Sequence, residues 1–142
     1  MSIPRGVRNN NPGNIREPKG DKTVWVGERT TDDDPEFEEF NSPEEGFRAF
    51  GKVLRNYQRI YGLNTIRQHI TRWAPPNEND TVAYTLYVCT WVGVGADEII
   101  DLTNDDFLVK MLQAMTRMEQ GRSPTGEDWW PISVIRAGVK LA

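Results

Sequence analysis

One cysteine and one histidine are all the thiol and imidazole that this chain of 142 residues possesses. A lone Cys89 cannot close an internal disulfide, so packing must supply the stability, and folding is compatible with a reducing cytoplasm. Neither Cys89 nor His69 stands in a ligand-spaced cluster, which sets aside zinc sites, thiol nucleophiles and Ser-His-Asp triads; no metal and no cofactor is expected. Cys89 reads as a small core hydrophobe, and His69 as a structural or merely exposed residue. Gly93-Val94-Gly95 lacks the lysine, third glycine and preceding strand of a phosphate loop and reads as a turn. No apolar run approaches the roughly 18 residues that a membrane span requires, and no secretory apolar segment precedes the first arginine. Internal repeats, linkers and low-complexity tracts are missing too, so residues 1–142 read as a single domain able to bury a core without staples.

Charge, by contrast, is plentiful and unevenly placed. The net charge of -4 conceals an acidic stretch from Glu28 to Glu45, in which Glu28, Asp32, Asp33, Asp34, Glu36, Glu38, Glu39, Glu44 and Glu45 face Arg29 alone. From Arg48 to Arg72 the order reverses, with Arg48, Lys52, Arg55, Arg59, Arg67 and Arg72 and no acid. Such runs mark solvated surfaces in one reading. In the other, the basic helical face attracts an anionic polymer such as peptidoglycan or nucleic acid.

Periodicity predicts a mainly helical (α+β) chain with one small antiparallel hairpin. Thr23-Val24-Trp25-Val26-Gly27 and Glu36-Phe37-Glu38-Glu39-Phe40 are short alternating or β-branched runs joined by an acidic loop, a pair that must pack on helices to persist. Ser42 can cap the next helix, Pro43 suits its first turn, and Glu45 completes a Ser-x-x-Glu capping box. Phe47, Phe50, Leu54, Tyr57 and Tyr61 then form one apolar stripe that leaves Arg48, Lys52, Arg55 and Arg59 mainly outside it, and Gly62 ends the helix. Asn64 is the expected cap of a short helix bearing Ile66, Ile70 and Trp73, stopped by Pro75-Pro76. Asp80 caps a third from Thr81 to about Trp91, offering Val82, Leu86 and Cys89 to the core. Thr103 is placed at the start of a fourth, central helix with Phe107, Leu108, Met111, Leu112, Met115 and Met118 on its apolar side. A last helix runs from Ile132 to about Ala137 after the loop Asp128-Trp129-Trp130.

The most informative stretch is Arg5-Gly6-Val7-Arg8-Asn9-Asn10-Asn11-Pro12-Gly13-Asn14-Ile15-Arg16. Its asparagines and Pro-Gly fit neither helix nor strand and predict an ordered polar loop that presents amides, through Asn10, Asn11 and Asn14, to a hydroxyl- and acetamido-rich ligand. A solvated tail is the plainer alternative. The run resembles the opening of a family of small phage virion and prophage proteins linked to peptidoglycan degradation. The likeness continues through Phe40-Asn41-Ser42-Pro43-Glu44-Glu45-Gly46-Phe47-Arg48-Ala49, Trp73-Ala74-Pro75-Pro76-Asn77-Glu78-Asn79-Asp80-Thr81, Gly93-Val94-Gly95, Asp101-Leu102-Thr103 and Glu119-Gln120-Gly121.

Abundant carboxylate is the chemistry that remains, and glycoside cleavage needs only carboxylates. A protonated glutamate donates to the glycosidic oxygen; a second carboxylate, or the substrate's own acetamido or hydroxyl group, answers the cationic carbon. Glu119 best fits the acid, because it ends a strongly apolar helix before the sharp exit Gln120-Gly121-Arg122-Ser123-Pro124, where partial desolvation would raise its pKa. A surface glutamate at a helix end is the plain alternative. The segment also resembles the helix-end glutamate of bacterial lysozyme-like glucosaminidases and transglycosylases. In those enzymes the glutamate precedes an Asn-Asn-x-x-Gly-Ile segment and a Phe-rich hairpin-to-helix junction, whereas here Asn10 to Ile15 and Phe37 to Glu45 come first. The resemblance therefore implies a lysozyme-like domain in circularly permuted order. Glu28 is the favoured second acid, with Asp32, Asp33, Asp34 and Glu78 as other candidates; Trp129 and Trp130 are the candidates for stacking on sugar rings, while Trp73 and Trp91 read as core.

These readings converge on a phage-associated muramidase, glucosaminidase or lytic transglycosylase whose partner is the glycan strand of peptidoglycan. The alternative is a non-catalytic virion or glycan-binding protein contacting other virion proteins. Nucleic acid is not the expected partner, since it leaves the Asn-Pro-Gly loop unexplained. The expected location is a phage virion, or the host cytoplasm with delivery to the periplasm by another factor.

Overall fold

Helix caps laid down in the sequence divide the chain into six helices in a computed structural model that describes residues 3–17, 24–31, 33–77 and 79–142. They are α1 (Arg5–Arg8), α2 (Pro43–Tyr61), α3 (Ile66–Trp73), α4 (Thr81–Val92), α5 (Asp105–Gln120) and α6 (Ile132–Leu141). The chain is mainly helical, as expected. Ser42 accepts from the Glu45 amide to open α2, and Gly62, left-handed at φ 67, closes it. Asp80 opens α4 by accepting from the Ala83 amide. Two caps lie one residue beyond their expected positions. Thr65, not Asn64, receives the Gln68 amide. Asn104, not Thr103, receives the Phe107 amide, because the Thr103 amide and hydroxyl are both spent on Asp101.

The stripe read on α2 is the centre of the core: Phe47, Phe50 and Leu54 are fully buried, and the cluster continues through Ile66, Ile70, Leu108, Met111, Leu112, Met115 and Val139. Helix α2 packs against α6, while α5 lies against α4 and α6. Tyr61, by contrast, is exposed and lies under the Arg72 guanidinium. Helix α4 buries Cys89 as expected but otherwise turns a different face inward. Val82 and Leu86 are exposed, whereas Thr81, Tyr84, Thr85, Val88 and Cys89 turn inward. Threonine can take that side because its hydroxyl finds a backbone acceptor; Thr81 donates to the Ala74 carbonyl. His69 is likewise fully buried.

The expected hairpin does not form among the described residues, and Thr23 of its first strand lies outside them. Instead two isolated antiparallel bridges pair Arg16 with Phe37 and Glu28 with Phe40. The reason lies in how the 36–41 segment divides its backbone. Glu38 and Phe40 donate to Ile15 and Asn9, the Glu36 carbonyl accepts from Glu17, and Glu39 and Asn41 bond instead to Arg29 and Gly27. A segment shared between two neighbours builds no continuous ladder with either. Nor is the acidic stretch wholly solvated, since Glu38 and Glu39 are buried. Glu39 accepts from the Asp34 amide at 2.7 Å and from Arg29 at 3.3 Å.

Candidate active site

The N-terminal motif folds into a short helix and a pinned loop. Helix α1 was not expected; it is fastened to the acidic segment by Arg5 on Glu36 at 2.8 Å and by Asn9 on Asp34 at 2.9 Å. The loop that follows needs left-handed backbone at Asn10 and Asn14, both with φ 51, a conformation asparagine accepts more readily than most residues. Asn11 is fully buried. Its Nδ2 donates to the Ile15 and Glu38 carbonyls, and its Oδ1 accepts from the Ile15 amide. Asn10 donates to the Phe40 carbonyl. Both side chains donate to backbone carbonyls that hold the loop, and neither is in the wall of the cleft described below.

Asn14 is different. Its Nδ2 lies 3.1 Å from Oε1 of Glu119, across 105 residues of sequence. The other oxygen, Oε2, accepts from the Tyr84 hydroxyl at 2.9 Å. Burial pushes the Glu119 carboxyl above the ordinary glutamate range, while hydrogen bonds from Asn14, Tyr84 and Trp73 pull against that rise. Tyr84 stays protonated, since burial and the neighbouring Glu119 charge drive its phenol well above the usual value.

Glu119 opens into a cleft of about 550 Å³ whose walls include Asn14, Arg16, Phe37, Tyr57 and Trp73. Trp73 stacks on the buried Phe50 at 4.8 Å between ring centroids, so one indole face is fixed by the core. Arg16 is held over the Phe37 ring at 5.0 Å and lies 3.4 Å from Glu36. The cleft therefore combines a desolvated acid, aromatic faces suited to stacking on sugar rings and one guanidinium. Among its described lining residues Glu119 is the one carboxylate.

The other expected site residues that are described lie elsewhere. Glu28 pairs with Phe40 and is not part of the cleft wall. Asp34 is committed to Asn9, Arg5 and the Glu36 and Phe37 amides, and Asp33 is exposed. Asp32 and Glu78 lie outside the described residues. Trp130 is buried against Phe47, with ring centroids 5.4 Å apart at 87°. The Trp129 indole donates to the Gln120 carbonyl at 3.1 Å, closing the end of α5. Neither tryptophan is among the residues that line the cleft. No group of three or more His, Cys, Asp or Glu side chains is placed to hold a metal among the described residues.

Sequence reasoning missed Tyr84, Gln120, Arg16, Phe37 and Tyr57 as parts of the site. Trp73 carried the one available signal, an aromatic residue at a helix end before Pro75-Pro76. Tyr84 falls within an apolar helix where a core role is the ordinary expectation, and Gln120 gains meaning only from the distant loop it touches.

No family model matches the chain. It nevertheless belongs to a family of bacteriophage proteins. Protein P5 of Pseudoalteromonas phage PM2 is 42% identical to it over 124 residues, which cover 87% of this chain and 76% of that protein. No helix among the described residues is long and apolar enough to cross a membrane.

Proposed function

We propose that this phage protein cleaves the glycan strand of peptidoglycan, with Glu119 as the general acid. The observation that carries the reading is the half-buried Glu119 carboxyl at the wall of an aromatic cleft, its pKa raised by desolvation. A neutral carboxylic acid beside stacking surfaces is what protonation of a glycosidic oxygen requires. Glu119 supplies the acid, and the cationic carbon is answered by the substrate's own hydroxyl or acetamido group or by a second carboxylate. A lytic transglycosylase, which closes the muramoyl 6-hydroxyl onto the anomeric carbon, uses the first of these, and a hydrolase uses the second. The meeting of Glu119 with the N-terminal Asn loop supports a lysozyme-like arrangement in permuted order. As a component of a phage particle, the protein would reach the cell wall by delivery from the virion or through another factor.

A second reading rests on the same bonds. Asn14 and Tyr84 tie Glu119 to the N-terminal loop and to α4, so the carboxylate can serve as a strut in a non-catalytic virion or glycan-binding protein. Digestion of purified peptidoglycan followed by mass analysis separates the two. Under the enzymatic reading, wild type releases fragments and Glu119→Gln lowers the rate by about 100-fold or more while keeping its melting temperature. Intact glycan with wild type, together with a large loss of stability in Glu119→Gln, selects the strut. Full activity in Glu119→Gln places the acid elsewhere.

A further inference from the structure

The side-chain amide of Gln120 sits where only a donor fits. Its Nε2 lies 3.0 Å from the Pro12 carbonyl, 3.0 Å from Asn14 Oδ1 and 3.4 Å from the Asn11 carbonyl, and the residue is 6% exposed. Turned over, it would set its carbonyl oxygen against three other oxygens, so its orientation is fixed by chemistry. Gln120 thereby fixes Asn14: Oδ1 is occupied as an acceptor, and Nδ2 must face Oε1 of Glu119. Oε1 consequently meets a donor whether the acid is charged or neutral. The proton of neutral Glu119 belongs on Oε2, where the Tyr84 hydroxyl stands at 2.9 Å. That hydroxyl has a second acceptor within reach, the Met115 carbonyl at 3.4 Å.

We propose that Gln120 and Tyr84 are positioning residues that assign the acid proton of Glu119 to Oε2. Gln120 does so by locking the Asn14 amide. Tyr84 does so by turning its hydroxyl between the Met115 carbonyl, when Oε2 is protonated, and Oε2, when it is not. In the reaction the Oε2–H bond breaks and the proton passes to the glycosidic oxygen, while the Tyr84 O–H bond stays intact and only rotates. The catalytic consequence rests on Glu119 acting as general acid; the orientation itself does not. The polar and charged groups that share the cleft with Glu119 are Asn14 and Arg16 of the N-terminal segment, Tyr57 of α2, Asn79, and the Trp73 indole of α3, which also hydrogen-bonds the carboxyl. Tyr84 of α4 closes the inner side.

Carbon-detected NMR titration of the glutamate carboxyls tests this without turnover. In wild type the Asn14 side-chain amide signals should move with the Glu119 carboxyl midpoint, because that amide donates to the group being titrated. Gln120→Met frees Asn14 to turn its oxygen toward the acid, and Tyr84→Phe deletes a donor to the carboxylate. Each should raise the Glu119 midpoint by about one pH unit or more. The alkaline limb of peptidoglycan cleavage should rise with it. Asn14 amide signals that stay flat through the wild-type Glu119 titration overturn the proposal even if Gln120→Met fails to fold. An unchanged midpoint in folded Gln120→Met overturns the role of Gln120, and one in folded Tyr84→Phe overturns that of Tyr84. A protein that titrates as expected yet cleaves no glycan refutes the enzymatic reading alone.

Discussion

His69 makes the stability of this protein acid-sensitive in a way that one substitution should isolate. Its ring is fully buried. Nε2 lies 2.8 Å from the Leu63 carbonyl, so that nitrogen carries the hydrogen, and Nδ1 has no partner among the described residues. A second proton would have to enter at Nδ1 and leave a charge with nothing to receive it. Burial accordingly lowers the pKa from 6.5 to about 4, with the Leu63 bond opposing the change. Below pH 6.5 the unfolded chain binds a proton that the native chain refuses, so stability falls as pH drops and levels off near the native pKa. A gap of about 2.5 pH units, at about 1.36 kcal/mol per unit, amounts to about 3 kcal/mol by pH 4. His69→Gln retains an N–H near the carbonyl and does not titrate. Urea unfolding of both proteins across this range should show the difference in stability shifting by about 3 kcal/mol in favour of the variant between pH 7.5 and pH 4. Titrations common to both, including that of Glu119, cancel in the comparison. Parallel curves would refute the assignment of a neutral, unpartnered ring in the core.

Four further outcomes follow from the packing. Leu54→Ala should cost about 2 to 5 kcal/mol in chemical denaturation, since the side chain is fully buried. Arg55→Ala should cost about 1 to 3 kcal/mol, far more than a surface arginine, because its guanidinium serves the Leu102, Val139 and Ala142 carbonyls and Asp105. Arg59→Ala, on an exposed side chain, should change stability by less than about 0.5 kcal/mol. Gly6→Ala should destabilise by about 1 to 3 kcal/mol and shift the Asn14 and Gln120 amide resonances, because an added Cβ would collide with Gln120 Nε2 and stand 2.6 Å from Asn14 Oδ1. A Gly6→Ala protein with wild-type stability and spectrum would contradict the close approach of α1 to the site.

Local chemistry made the helices legible. Ser42, Pro43 and Gly62 framed α2, and its three- and four-residue apolar spacing placed Phe47, Phe50 and Leu54 in the core. What failed depended on partners far along the chain. Alternation from Glu36 to Phe40 promised a strand, but the segment splits its hydrogen bonds between residues 9–17 and 27–29. Arg55 looked like one more solvated cation until three backbone carbonyls from the 102–142 region converged on it. Glu119 was singled out for its place at a helix end, and Asn14 for its turn-forming neighbours. Their proximity could be anticipated only from motif order. Asn10 and Asn11 carried the same residue type as Asn14, and sequence offered no means to tell the amide that faces the cleft from those that hold the loop.

The bond between Asn14 and Glu119 spans 105 residues, and Gln120 reaches back over a similar distance to Asn11 and Pro12. A chain emerging from the ribosome therefore carries its Asn-rich loop through 105 further residues before Glu119 is made. Loop closure over such a separation is slow relative to local helix formation. Helices α2 to α4 can form first, leaving the cleft unbuilt until α5 docks. The acid gains its donors at that same step, since Asn14 of the loop, Trp73 of α3 and Tyr84 of α4 all precede it in the chain. A shifted Glu119 titration thus reports docking of α5, and a chain that stops short of that helix possesses the motif without the site.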